Sequence, residues 1–118
     1  MKTLKNLESL ALESLKETAE TCDREDDLFD LTPELADGCV PVYYSDLYQV
    51  FADSPDAINA ALDEYINETG GEDLGNRVKD SGLSNLIALG IYWHLEQYLL
   101  EQVGKVWEEK ESEGEGAE

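Results

Sequence analysis

The stretch SNLIALGIYWHLEQYLLEQVGKVW, residues 84–107, decides the fold class because it holds the longest helical pattern in the chain. Its apolar residues recur at steps of three and four, as they do on the buried face of an α-helix. No run in the sequence approaches the roughly 18 consecutive apolar residues that a membrane-spanning helix needs. The pattern therefore predicts one long helix that packs against the rest of the chain.

Two helical patterns lie near the N-terminus. Residues 4–19 place leucine and alanine on one face and glutamate elsewhere, which predicts an amphipathic helix of about five turns. A second pattern lies within residues 23–37, whose leucines and phenylalanine supply just enough apolar surface for packing. Within it, Thr32-Pro33-Glu34 is typical of an N-cap followed by proline at the first helical position, so we expect a helix to begin there and to stop near Gly38.

Two further patterns follow. Pro41 opens a helix over residues 42–53 that is apolar on more than one face, so we expect it to be central. Ser54-Pro55-Asp56 repeats the cap-and-proline signature and starts another helix, which Gly70-Gly71 ends. The residues of this fourth helix that we expect to face inward are Ile58, Ala61, Leu62, Tyr65 and Ile66.

Together these patterns predict an elongated all-α protein of about five helices, with a central aromatic helix and a long C-terminal helix. The length allows a single domain, which we place at residues 1–107. Residues 70–82 contain four glycines and little periodicity, which predicts a loop or a short turn. Residues 108–118 contain six acids and one lysine, and we expect them to form a disordered acidic tail.

The charge of the chain excludes several functions. With 28 Asp and Glu against 8 Lys and Arg, the net charge is −20. A protein this acidic repels phosphate and anionic lipid, so we expect no direct nucleic-acid binding through a basic patch and no membrane partner. Residues 1–15 interleave charged residues with leucine and lack the apolar core of a secretory signal, so the expected location is the cytoplasm, where Cys22 and Cys39 would be free thiols.

The residues that could carry catalysis or bind a metal form no convincing site. His94 is the only histidine and lies on an apolar helix, and no histidine is close in sequence to Cys39. Asp23, Glu25, Asp27 and Glu34 match the first, third, fifth and twelfth positions of a calcium loop, but a leucine stands where the sixth position requires glycine. We therefore predict that the protein is not an enzyme and has neither a cofactor nor a metal site.

The charge itself is then the candidate functional feature. Residues 25–72 contain thirteen acids and no Lys, Arg or His, although a net charge of about 2 to 8 suffices to keep a small domain soluble. Duplex DNA carries one negative charge per about 1.7 Å, so twenty charges match roughly 34 Å of duplex. The carboxylates can therefore stand in for phosphates. The alternatives are an acidic interaction module or adaptor, whose charge serves only solubility, and a salt-adapted cytosolic domain.

A resemblance to a known family supports the first interpretation. Residues 40–52, VPVYYSDLYQVFA, resemble the central helix of the Ocr antirestriction proteins of tailed phages, in which Val-Pro-x-Tyr-Tyr-x-Asp precedes apolar residues that end in alanine. Residues 80–83, DSGL, ahead of a long helix are also similar to this family. The resemblance implies an all-helical homodimer that mimics a bent DNA duplex. Such a dimer occupies the DNA-binding groove of type I restriction–modification enzymes in the host cell and blocks both cleavage and methylation.

The resemblance and the charge pattern together predict the residues of the mimic. The aromatic helix would lie near the two-fold axis of the dimer. Its candidate core or dimer contacts are Tyr44, Leu47, Tyr48 and Phe51, for which packing within one chain is the alternative. Asp46 matches the family motif and would either substitute for a phosphate or cap a neighbouring helix. The other candidate DNA-mimic carboxylates are Asp23, Glu25, Asp26, Asp27, Asp30, Glu34, Asp37, Asp53, Asp56, Asp63, Glu64, Glu108 and Glu109.

Overall fold

The computed structural model of the chain describes residues 2–72 and 82–116. In these residues five helices follow one another, and no strand is found among them, which confirms the all-α prediction. They are α1 (Leu4–Ala19), α2 (Glu25–Cys39), α3 (Tyr44–Asp53), α4 (Pro55–Thr69) and α5 (Leu83–Gly116). The molecule measures 55 × 32 × 21 Å, so it is elongated, as expected.

The long helix α5 lies at the centre, and each of the other four helices packs against it. Its buried residues Ile87, Ile91, Leu95, Leu99 and Val103 recur every four positions and are almost completely inaccessible. This row of side chains forms the centre of the hydrophobic core. Within one chain, therefore, the aromatic helix α3 is not the central helix, in contrast to the prediction. With ten residues it offers less apolar surface than α5, against which it packs.

Helix α1 forms as its periodicity predicts. Its apolar row is buried over the whole length of the helix, from Leu4 to Ala19. Thr3 precedes the helix, and its hydroxyl accepts a hydrogen bond from the backbone N–H of Asn6 at 3.2 Å. This bond satisfies one of the N–H groups that the first turn of a helix leaves without a partner.

Helix α2 begins eight residues earlier than Thr32-Pro33-Glu34 predicted, and Pro33 lies inside it. Proline has no N–H to donate to the carbonyl of Phe29, four residues earlier. The Thr32 hydroxyl donates to that carbonyl instead, at 2.8 Å. The prediction of a helix start was wrong because the threonine side chain replaces the missing backbone hydrogen bond, while Leu28, Thr32 and Ala36 bury one continuous face.

Helices α3 and α4 differ from prediction only in detail. Helix α3 begins at Tyr44, two residues later than expected. Helix α4 starts at Pro55 and ends at Thr69. Gly70 follows it, and its φ of 82° is the left-handed conformation that glycine adopts readily. Of the residues expected to face inward, Ile66 is 40% exposed. Successive residues of a helix are turned by about 100°, so Ile66 faces away when Tyr65 packs edge-on against Trp93.

The C-terminal helix continues beyond the expected end at Trp107. The segment 108–116, expected to be part of a disordered tail, is helical. Glutamate and lysine are strong helix formers, and Trp107 Nε1 donates to Glu111 Oε1, one turn later, at 2.8 Å. Residues 117 and 118 of the expected tail, and residues 73–81 of the expected loop, lie outside the described residues.

Candidate functional site

The outer face of α2 carries a row of exposed carboxylates, which we call the α2 stripe: Asp26, Asp30, Glu34 and Asp37. These residues are spaced by four, four and three positions, so they lie on one side of the helix, opposite the buried Leu28 and Ala36. A rise of 1.5 Å per residue separates neighbouring carboxylates by about 5.5 Å along the helix axis. One strand of DNA presents a phosphate about every 3.4 Å, so the stripe has about two thirds of that linear density.

The first turn of α2 adds further predicted carboxylates in less exposed positions. Asp23 is exposed just before the helix, whereas Glu25 and Asp27 are half-buried. Asp27 is also 3.5 Å from the guanidinium of Arg24, three residues earlier. Negative charge near a helix N-terminus is stabilised by the helix dipole, so these acids support the fold as well as the surface charge. Among these acids, Asp27 therefore has a basic partner next to it.

Helices α3 and α4 carry further predicted carboxylates. Asp53, Asp56, Asp63 and Glu64 are all exposed. Asp46 is half-buried in the first turn of α3, where the helix dipole favours a carboxylate, and its role stays a prediction. Glu68 is a further exposed carboxylate that the sequence reasoning did not select. It follows Glu64 by one helical turn, and that spacing is the signal that could have identified it.

Most of the described basic residues are exposed. Arg24 lies beside Asp27 at the start of α2, Lys2 lines one pocket with Asp46, and Lys105 lies on α5. Lys2, Lys5 and Lys16 belong to the N-terminal segment and α1. Lys110 donates to the backbone carbonyl of Cys22 at 2.6 Å and lies 4.2 Å from the centre of the Trp107 ring. Glu108 and Glu109 are exposed, and Glu109 lines one pocket with Lys16 and Lys110.

The molecule is longer than the duplex length that its net charge would match. Twenty charges match roughly 34 Å of duplex, but the longest dimension of the molecule is 55 Å. Averaged over that length, the chain has about one net charge per 2.8 Å, compared with about 1.7 Å in the duplex. The chain is therefore an extended acidic body, and its base-free tract, residues 25–72, covers α2, α3 and α4.

Comparison with known protein families assigns the chain to one of them. The family model described as DNA mimic ocr matches residues 1–83. The chain belongs to the ocr family of DNA mimics. The match covers α1 to α4, and hence the acidic tract 25–72, whereas nearly all of α5 lies beyond it. No curated protein and no solved structure matches the chain.

The aromatic helix of this ocr-family chain splits the four predicted contact residues into two pairs. Leu47 is buried and Phe51 is half-buried, and both belong to the hydrophobic core of the single chain. Tyr44 and Tyr48 are 63% and 45% exposed. They extend an apolar surface that includes Val42 and Tyr43, which are 86% and 73% exposed and were not predicted as contacts. We call these four residues the tyrosine surface.

The residues considered for catalysis have other structural roles. His94 Nε2 lies 2.9 Å from Glu8 Oε1, which ties α5 to α1. Cys39 is half-buried, and burial raises the pKa of its thiol above the ordinary value, which opposes formation of a nucleophilic thiolate. The four acids that matched a calcium loop lie before and along a continuous helix. Among the described residues no group of three or more His, Cys, Asp or Glu side chains could hold a metal ion.

None of the helices in the described part of the chain combines the length and apolar character needed to cross a membrane.

Proposed function

We propose that this ocr-family protein is a non-catalytic competitive inhibitor that occupies the DNA-binding groove of a type I restriction–modification enzyme. It would act in the cytoplasm of a bacterial host during phage infection. The observation that supports this role best is the α2 stripe, which is exposed, regularly spaced and part of a tract without a basic residue. The ocr family match supports the same role, because the match includes that whole tract.

The mechanism follows from how such enzymes hold DNA. Lys and Arg side chains in a DNA-binding groove contact phosphates, and carboxylates on a rigid helix can satisfy the same side chains. Bending 20–30 base pairs of DNA costs on the order of 1–6 kcal/mol, which a protein already folded in the required shape does not expend. The inhibitor can therefore compete with DNA of any sequence, and its binding needs no base contacts.

The test is a competition assay with a purified type I enzyme and duplex DNA, in which binding, cleavage and methylation are followed together. We expect the unmodified protein to inhibit all three activities, with a binding constant that falls steeply as salt rises, because many screened ion pairs contribute. Neutralising the seven acids of residues 23–37 should abolish inhibition. Full inhibition by that variant would refute the proposal.

A matched control separates the position of the charge from its amount. The variant Asp26→Asn/Asp30→Asn/Glu34→Gln removes three charges from the α2 stripe. The variant Glu13→Gln/Glu17→Gln/Glu20→Gln removes three exposed charges from α1 and the residue that follows it, a segment that also contains lysines. We expect the α2 variant to weaken inhibition more than the α1 variant. Equal effects would mean that only net charge matters.

We also propose that the inhibitor acts as a homodimer that is formed through the tyrosine surface. Contiguous exposed apolar residues mark contact surfaces on soluble proteins, and apolar burial is needed to bring two chains of charge −20 together. The variant Tyr44→Ser/Tyr48→Ser should be monomeric in sedimentation velocity experiments and keep its helical circular dichroism spectrum. A dimer that is unchanged by these substitutions would exclude this surface.

The acidic interaction module remains a second candidate, favoured by the same tyrosine surface. Under that function the surface would bind a different protein, and the carboxylates would serve only solubility. Binding of that protein would then persist at high salt and fail in the tyrosine variant. The salt dependence of binding therefore separates the two functions.

A further inference from the structure

A cleft of about 410 Å³ opens between the C-terminal half of α2 and the N-terminal part of α5. Its walls include the apolar side chains of Val40, Ala88 and Leu89 and the ring of Tyr92. Glu34 and Asp37, the last two carboxylates of the α2 stripe, also line it. The cleft thus joins an apolar cavity to the acidic surface.

The lining determines which ligand fits. Two carboxylates, with no basic residue among the described side chains of the lining, favour a cation. The volume is far greater than a single ion requires, and the apolar walls favour an aliphatic chain that carries the charge. Arginine has such a chain, and its planar guanidinium can stack on an aromatic ring while it donates hydrogen bonds to carboxylates.

We propose that this cleft binds one arginine side chain from the DNA-binding groove of the target enzyme. This inference rests on the proposed function, and it adds a specific recognition site to a surface that otherwise acts through many similar ion pairs. Glu34 and Asp37 are three residues apart on one face of α2, so both can approach a guanidinium that enters the cleft. A duplex presents its phosphates in water, whereas this cleft can partly desolvate the arginine and strengthen its ion pairs.

The first experiment compares two double variants of the α2 stripe in the competition assay. Glu34→Gln/Asp37→Asn removes the carboxylates of the cleft, and Asp26→Asn/Asp30→Asn removes the same charge from the same helix outside the cleft. We expect the control pair to weaken inhibition about fourfold, as for two exposed ion pairs. The cleft pair should weaken it more than tenfold, because partly desolvated charges interact more strongly. Equal losses would overturn the arginine site and leave the proposed function intact.

The second experiment needs no restriction enzyme. N-acetyl-arginine methylamide is titrated into the protein, and NMR shifts are followed at the methyl groups of Ala88 and Leu89 and at the ring of Tyr92. We expect saturable shifts at these groups at millimolar concentrations, much smaller shifts with the neutral citrulline analogue, and loss of the shifts in Glu34→Gln/Asp37→Asn. Shifts that are equal for the two compounds, or absent from the cleft, would overturn the site. Shifts in a protein that fails to inhibit the enzyme would refute the proposed function, and with it the assignment of the arginine to that enzyme.

Discussion

Gly90 lies where α5 passes closest to α4, and replacing it tests the packing that holds the acidic α4 in place. A Cβ atom at Gly90 would lie 2.7 Å from Ile58 Cγ2 and 3.2 Å from both the Ile58 carbonyl oxygen and Leu62 Cγ. Ile58 is completely buried, so its side chain has little space into which it can move. Gly104, in the same helix, has no comparable contact, because its nearest such neighbour is Glu25 Oε1 at 4.0 Å.

The expected free energies follow from these distances. Replacing glycine by alanine inside a helix stabilises it by about 1 kcal/mol through helix propensity. At Gly90 this gain is opposed by overpacking, which costs about 1–3 kcal/mol. Since the propensity gain is common to both sites, Gly90→Ala should be about 1–3 kcal/mol less stable than Gly104→Ala. Gly104→Ala should be more stable than the unmodified protein.

The measurement is urea unfolding followed by circular dichroism at 222 nm, at one protein concentration so that any self-association affects all variants equally. Each 1 kcal/mol corresponds to a shift of about 4–8 °C in Tm for a domain near 100 residues, so a thermal scan gives an independent value. If Gly90→Ala were as stable as Gly104→Ala, α4 would not lie against α5 as described. The positions of Asp56, Asp63 and Glu64 would then have to be revised.

Three further predictions concern α2 and the residue at its end. Asp37→Asn should stabilise the protein and Asp26→Asn should destabilise it, each by about 0.5 kcal/mol. The reason is that the helix dipole disfavours a carboxylate in the last turn and favours one in the first. Equal urea midpoints for the two variants would contradict this prediction. Thr32→Val should lower the free energy of unfolding in urea by about 1 kcal/mol, because it leaves the Phe29 carbonyl without the hydroxyl donor. The loss should disappear when the following proline is replaced by alanine, and an unchanged loss would show that the hydroxyl has another role. Burial raises the pKa of the Cys39 thiol from its ordinary value of 9.0, so the folded state binds its proton more tightly than the unfolded state does. This contribution to stability is present below pH 9 and is lost as the pH rises through the pKa of the folded state. Cys39→Ser should therefore reduce the fall in the free energy of unfolding above pH 9. If the free energy of unfolding of the variant had the same pH dependence as that of the unmodified protein, the prediction would be contradicted.

The helices could be predicted from the sequence because their signals are local. The apolar row of α1, the proline and glycine at the two ends of α4, and the row on α5 depend only on residue spacing and on the conformations that proline and glycine allow. The same locality explains the error at the start of α2. The sequence around Pro33 contains a valid helix-start signature, and only the burial of Leu28 and Ala36 in the core, together with the Thr32 hydrogen bond, carries the helix through it.

The candidate site was predictable in part. Exposure of most of the chosen carboxylates follows from charge alone, since a carboxylate is costly to bury without a partner. The partial burial of Glu25 and Asp27, in contrast, depends on how the first turn of α2 packs against the rest of the fold. The ion pair between Arg24 and Asp27 depends on it as well. The sequence could not separate Tyr44 and Tyr48 from Leu47 and Phe51, because all four fit an apolar helix.

By itself, the sequence determined the helical class, the base-free acidic tract and the resemblance to the ocr family, since these are properties of residue order and composition. The tertiary structure decided which helix is central, which tyrosines remain exposed and which carboxylates share a cleft with Tyr92. These outcomes depend on contacts between residues that are distant in the chain, and such contacts are fixed only when the apolar faces of α1 to α4 compete for the surface of α5.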